Sequence, residues 1–466
     1  MAPLYRSPDE RAAQGRSVRD QCARDQHANW SPALRAHTPL DLLVEQELTR
    51  VPELVAIRHG RMAASPFAYY RGAALPMAAD LAALPQTPLH VQLCGDAHLA
   101  NFGGFASPER ELVFDINDFD ETAPGPFEWD VKRLGASLEI AGRSRGFGAK
   151  ECRRIVLNGV GTYREAMREF AAMGKLDIWY AKLGVTEILG RWGQGAGGRA
   201  LKNFQRGVDK AESKDRLKAR DKLTKVVEGE LRFLSDPPLL VPVEEIYSDP
   251  AEAEIVESSV HGALDTYRET LSSDRRRLLN EYRYVDLARK VVGVGSVGTR
   301  CWVAMFVGRD ENDPLFLQVK EAEASVLERF TERSELPNHG QRVVDGQRLM
   351  QASSDIFLGW HSVVGPDGVT RDFYMRQLWD WKASASIETM DSEALGIYAG
   401  ISGWTLARAH ARTGDEIAIG AYLGGGKAFD HAIADFSSSY AEQNQVDYQA
   451  LVNAVADGDL IADAGV

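Results

Sequence analysis

The sequence predicts an α+β protein with room for two or three domains or lobes. Three observations point there. Short β-branched and aromatic runs at 89–94, 111–116, 299–307 and 315–320 read as strands. Elsewhere apolar residues recur at three-and-four spacing, as in Val131-Leu134-Leu138-Ala141 and Ile155-Val156-Val160-Tyr163, and read as helices. With 466 residues, 44% of them hydrophobic and 26% charged, the chain can bury a large core.

In chain order, residues 1–40 are rich in Arg, Asp, Pro and Gln and read as a weakly structured arm with one short helix. No apolar signal core opens the chain and no run reaches membrane-spanning length, so a cytoplasmic location is expected. Four scattered cysteines (Cys22, Cys94, Cys152, Cys301) lack C-x-x-C spacing, which speaks against zinc and against a disulfide scaffold. The net charge of −13 argues against nonspecific binding to nucleic acid or to an anionic membrane. Residues 41–61 are helix-like. In the following MAASPFAYYRGAA, Arg71 beside Tyr69 and Tyr70 could approach a phosphate, but an aromatic packing corner with a surface arginine is the simpler reading. Residues 77–84 read as a short helix.

The stretch that organises the chain is 91–134. A strand-like run turns at Gly95-Asp96, a loop offers His98 and Asn101, and a second strand-like run ends in Asp115, Asp118, Asp120 and Glu121. Acidic clusters are ordinarily solvated loop tips. A carboxylate and an amide on one loop, with carboxylates on the next, also supply the hard oxygen ligands that suit Mg²⁺.

Residues 130–284 read as helical, and 198–235 as a mixed-charge, solvated helical face despite its lysines and arginines. Gly293, Gly295 and Gly298 then form G-x-G-x-x-G, with Ser296 inside it. A dinucleotide-binding turn is the rival reading, but such a turn feeds a helix. Here a strand-like run follows, then a turn at 309–314 and another strand ending in Lys320. Residues 355–360 and 372–378 read as two more strands, and 392–412 as a helix in which His410 is a packing or capping residue.

The run Asp96…Asn101, then Asp118-Phe119-Asp120, then Trp129-Asp130 resembles the catalytic half of the protein-kinase-like superfamily, in particular its aminoglycoside and choline phosphotransferase branch. It is also similar to a large uncharacterised bacterial family with C-G-D-x-H-x-x-N-F-G at this place. Cys94 stands where the first motif usually has His, and Asp120 where a kinase has Gly. The resemblance implies an ATP- and Mg²⁺-dependent phosphotransferase acting on a hydroxyl of a small molecule or protein. Asp96 would be the catalytic carboxylate, Asn101 and Asp118 metal ligands with Asp115 competing for the ion, and Asp130 a brace for the loop. The glycines and Ser296 would cover the phosphates, and Lys320 would hold α/β-phosphate oxygens. The lysine's partner would be Asp345, with Glu328 the other candidate, and backbone groups of Gln377, Leu378 and Trp379 would meet adenine.

In ordinary kinases the glycine loop and lysine precede the catalytic loop; here they follow it by about two hundred residues. The implied fold is therefore a circularly permuted, two-lobed one: arm 1–40, helical large lobe 41–285, β-rich nucleotide lobe 286–380 and helical return 381–466. A noncatalytic nucleotide-binding pseudokinase, a metal-dependent phosphohydrolase built on the acids 115–121, and AMP transfer remain open alternatives.

Overall fold

A computed structural model describes residues 6–195, 197–213, 216–247, 250–365, 367–378 and 381–465. It is mixed α+β, with antiparallel sheets and a helical core. One sheet runs, edge to edge, through Gly359–Val364, Thr370–Gln377, Pro314–Ala322, Cys301–Val307, Arg283–Lys290 and Leu240–Pro242. Strand alternation feeds two cores. Val303 and Met305 pack with Leu231, Phe233 and Leu240 on one face, while Ala304 and Phe306 pack with Leu264 and Tyr267 on the other. With both faces covered, all nine residues of Pro314–Ala322 are buried, Lys320 included. Register sets Lys320 opposite Cys301 on one side and Tyr374 on the other.

The helices Glu128–Ser144, Ala149–Phe170, Ser392–Thr413 and Ala428–Asp457 share a single core through residues such as Leu138, Val160, Leu406 and Ile433. Two of them cross at glycines: a Cβ on Gly403 would sit 2.1 Å from the Gly159 carbonyl oxygen. Against this core lie Phe102–Ala106 paired with Leu112–Ile116, and His90–Leu93 paired with Ala123–Pro126. The acidic loop joins the two pairs.

Four regions depart from expectation, one of them the strand read at 355–360, which begins only at Gly359 and runs to Val364. The stretch expected to be helical contains the hairpin Thr224–Val227/Glu230–Phe233, and Leu240–Pro242 extends the large sheet. Glu228 and Gly229 both adopt positive φ (52° and 84°), the geometry that two-residue hairpin turns require. The helix expected at 41–61 is two, Pro39–Glu47 and Pro52–Ala63, because Pro52 cannot continue a helix but starts one well. The arm is not loose. Ser7 and Glu10 cap the helix Pro8–Ser17, and Arg35 bridges Asp80 (2.7 Å) and Asp447 (2.8 Å). Lys214 and Pro366 lie outside the described residues.

Candidate functional site

The loop after His90–Leu93 is built on Gly95. Its φ of 85° suits glycine, and a Cβ there would lie 2.1 Å from the Glu121 carbonyl oxygen. Asp130, in the first turn of Glu128–Ser144, accepts the N–H groups of Cys94 (2.8 Å) and Gly95 (3.1 Å). His410 Nε2 lies 3.2 Å from Asp130 Oδ2, and Tyr163 hydroxyl 2.9 Å from His410 Nδ1. The brace expected of Asp130 and the packing role expected of His410 are one buried chain of contacts.

That loop presents Asp96, whose Oδ1 accepts from Arg133 Nε at 2.8 Å and lies 2.7 Å from the same guanidinium's Nη2. Arg133 is itself held by the Tyr70 carbonyl oxygen (2.7 Å) and stacked on the Tyr70 ring. Asp96 Oδ2 is 3.5 Å from His98 Nε2. Burial pushes the His98 imidazole down to about 4, so it is neutral at pH 7. Asn101 Nδ2 donates to the Asp96 carbonyl oxygen at 2.9 Å, which leaves the Asn101 amide oxygen available.

The acids of the second loop separate by role. Asp115 Oδ1 accepts the Ile116 N–H and pairs with Arg408, and Oδ2 accepts the Ala352 N–H at 2.9 Å. Its carboxylate is a core strut and does not line the cavity described below, which takes it out of the expected metal-ligand set. Asp118 Oδ1 accepts only the Asp120 N–H, at 3.2 Å, among the described residues. Its enclosure, together with the charge on Asp120, raises its pKa. Asp120 is the hub: it accepts from Lys320 Nζ (2.5 Å), Tyr374 hydroxyl (2.6 Å) and Ser296 hydroxyl (3.2 Å). Burial opposes both charges of the pair, yet their attraction wins: Asp120 is held below and Lys320 well above the ordinary value. Glu121 accepts the Val326 N–H at 2.8 Å, and burial pushes its carboxyl up to about 7.

The glycine loop between Arg283–Lys290 and Cys301–Val307 feeds a strand, so it is not a dinucleotide-binding turn. The carbonyl of Gly293 (φ 67°) accepts from Arg61 at 2.7 Å, and the Gly298 carbonyl accepts from the Val51 N–H at 2.7 Å. Arg50 packs under Gly298 and bonds the Val297 carbonyl.

A cavity of about 940 Å³ lies between these pieces. Asp96, Asn101 and Asp118 line it from one side; Gly293, Gly295, Ser296 and Lys320 line it from the other, with Gln377 and Leu378 also in the wall. Gly298 is outside the lining, turned against Arg50. Asp345 is not the lysine's partner. It receives Gln341 Nε2 at 3.4 Å on the helix His339–Met350, and Glu328 pairs with Arg342 at 3.5 Å. Of the backbone groups expected at adenine, the Gln377 N–H is taken by the Asp355 carboxylate and the Leu378 N–H by the Phe316 carbonyl (2.9 Å), where the sheet's pairing continues. Trp379 lies outside the described residues.

Sequence reasoning passed over Tyr374 and Arg376. Arg376 reaches the Asn117 carbonyl at 2.8 Å and Gln318 at 3.1 Å. The signal was the two-residue period of Asp372-Phe373-Tyr374-Met375-Arg376, which puts both on one face of the sheet. Arg71 also lines the cavity.

The donor set suits magnesium. Mg²⁺ takes one or two carboxylates together with phosphate oxygens and waters, and the Asp118 carboxylate and Asn101 amide oxygen offer that on one cavity wall. Among the described residues no three His, Cys, Asp or Glu side chains converge as a self-contained metal cage. No described helix is long and apolar enough to cross a membrane.

No curated protein and no solved structure matches the chain. The family model described as "uncharacterized protein conserved in bacteria (DUF2252)" matches residues 50–454, so the chain belongs to that family.

Proposed function

We propose that the protein is an ATP- and Mg²⁺-dependent phosphotransferase acting on a hydroxyl, with the cavity between the glycine loop and the acidic loop as its active site. The supporting observation is the contact of Lys320 Nζ with Asp120 (2.5 Å) and Ser296 (3.4 Å). Two stretches about two hundred residues apart in sequence thereby share one cavity. On this reading the fold is a permuted kinase-like one, with the large sheet as the nucleotide lobe.

The chain's residues then divide the work. Backbone N–H groups of the glycine loop approach the phosphates where no Cβ intervenes, and Lys320 holds α/β-phosphate oxygens. Asp118 and the Asn101 amide oxygen would hold Mg²⁺, whose chemistry is to neutralise β/γ-phosphate charge. Asp96, fixed by Arg133 through Oδ1, keeps Oδ2 for the acceptor hydroxyl, orients it and takes its proton. Asp120 holds Lys320 in place between turnovers. A phosphohydrolase built on the acids 115–121 draws less support, because Asp115 serves Arg408, Asp120 serves Lys320 and Tyr374, and Glu121 serves Val326.

The test is calorimetric titration of ATP, with and without Mg²⁺, into wild type, Asp118→Ala and Lys320→Ala. A charge-assisted contact is worth about 1.5–3 kcal/mol, so each substitution should weaken Mg²⁺-dependent binding about tenfold or more. Far-UV circular dichroism should show both variants folded. Affinity indifferent to both substitutions would discard the nucleotide site.

A further inference from the structure

Among the described residues, one half-buried cation in the cavity wall, Arg71, makes no hydrogen bond or ion pair. Arg71 closes the helix Pro66–Gly72, whose Tyr69 and Tyr70 are buried in two separate cores, so the helix is fixed in rotation. Its half-buried side chain lines the cavity with Asp96, His98 and Asn101. Arg71 Nε is sealed from solvent with no partner, and among the described residues the guanidinium makes no hydrogen bond or ion pair.

Of the other arginines nearby, Arg333 is exposed to solvent and the rest are committed. Arg133 holds Asp96, Arg50 holds the Val297 carbonyl, and Arg376 holds Asn117 and Gln318. Enclosing an arginine without a counter-charge is unfavourable, so a wall that keeps one open is suited to a ligand that brings the anion.

Position assigns the anion to the acceptor. Arg71 shares its stretch of lining with Asp96, His98 and Asn101, and Asp96 is the carboxylate whose charge acts on it most, whereas Lys320 is bonded to Asp120. The main chain of Arg71 abuts the glycine loop, its carbonyl oxygen 3.2 Å from where a Cβ of Gly295 would lie. A group bound by the guanidinium therefore sits at the Asp96 end of the phosphate path. A cationic acceptor, such as an amino sugar or choline, would meet a like charge with no carboxylate bonded to it there, since Asp96 is already paired with Arg133.

We propose that Arg71 binds an oxyanion, a carboxylate or phosphate, carried by the acceptor, so that the substrate is an anionic hydroxyl compound. That the anion belongs to the acceptor rests on the phosphotransferase reading; the oxyanion site does not.

The experiment titrates the full chain with inorganic phosphate, sodium acetate and choline chloride. Each titration is run alone and with saturating Mg²⁺ and a non-hydrolysable ATP analogue, for wild type, Arg71→Lys and Arg71→Gln. Phosphate or acetate should bind the nucleotide-loaded wild type, about tenfold or more weaker in Arg71→Gln and intermediate in Arg71→Lys. Nucleotide affinity should stay within about threefold throughout, because no nucleotide contact is assigned to Arg71. Preference for phosphate or for acetate identifies the anion. The proposal is overturned if neither oxyanion binds, if Arg71→Gln binds them as wild type does, or if choline binds instead. Arg71→Gln that loses ATP but keeps ADP would move the arginine to the γ-phosphate and overturn it equally. Arg71-dependent oxyanion binding in a wild type that ignores nucleotide would leave this site standing and sink the phosphotransferase reading.

Discussion

Lys320 is a cation on a strand whose nine positions are all buried, and a buried ammonium persists only where an anion meets it. The sequence placed the lysine at the end of a strand after the glycine hairpin; it lies on that strand, which runs two residues further, to Ala322. Its partner was not legible, because several acids are compatible with linear spacing and only the tertiary approach of the acidic loop selects Asp120. Lys320→Met should therefore destabilise the protein by about 3 kcal/mol, leaving Asp120 with only Tyr374 and Ser296. Adding Asp120→Asn should return part of that loss in urea denaturation. His361 carries a different signature. It is 5% exposed, stacked on Phe373, and burial lowers its pKa to about 4 from 6.5. Between those values the unfolded chain binds a proton that the folded one does not, so stability falls as pH falls from 6.5 to 4. One unit corresponds to about 1.4 kcal/mol, so this histidine accounts for about 3 kcal/mol of the acid loss. His361→Phe should flatten the melting temperature against pH across that window and leave the slope above pH 7 unchanged.

At the scale of elements, periodicity served well where runs were long. The two strands after the glycine loop and the helix Ser392–Thr413 fall close to where alternation and three-and-four spacing put them. It failed at Thr224–Phe233, where four-residue strands are interrupted by lysine, arginine and glutamate and the turn is Glu-Gly rather than Asn-Gly. Arg71 was read as a surface residue because a single arginine beside aromatics carries no spacing signal; only the fold turns it into the cavity. The loop bearing Asp96 hangs on Gly95. Gly95→Ala combines left-handed backbone, costing about 1–2 kcal/mol, with a clash on the Glu121 carbonyl. It should lower the melting temperature and abolish Mg²⁺-dependent nucleotide binding, while Gly146→Ala, also at positive φ (76°) but in open space, should lose stability alone.

At the scale of the molecule, the two ends of the chain close around the site's supports. Residues 50–61 carry the glycine loop through Arg50, Val51 and Arg61, and the C-terminal segment grips them: Asp463 N–H donates to the Ala56 carbonyl at 2.8 Å, and His59 Nδ1 meets the Ile461 carbonyl at 2.7 Å. None of this was visible in the helix-like spacing of 41–61, since backbone contacts with a distant segment leave no local trace, and the same holds for the side-chain pairs that order the arm 1–40. Arg35→Ala should cost about 3 kcal/mol, stranding the buried Asp80 beside the half-buried Asp447, and the loss should appear in thermal denaturation. The meeting of the acidic and glycine-rich stretches was likewise beyond periodicity; it followed only from the family resemblance and the order of its motifs. Their shared cavity is the central claim, and an experimental structure of the Mg²⁺–ATP complex tests it most directly. The account predicts the triphosphate between the 293–296 loop and Lys320, with its γ-phosphate toward Asp96 and a metal on Asp118 and Asn101. A nucleotide bound elsewhere on the surface, or a cavity that stays free of nucleotide at saturating Mg²⁺ and ATP, would contradict it.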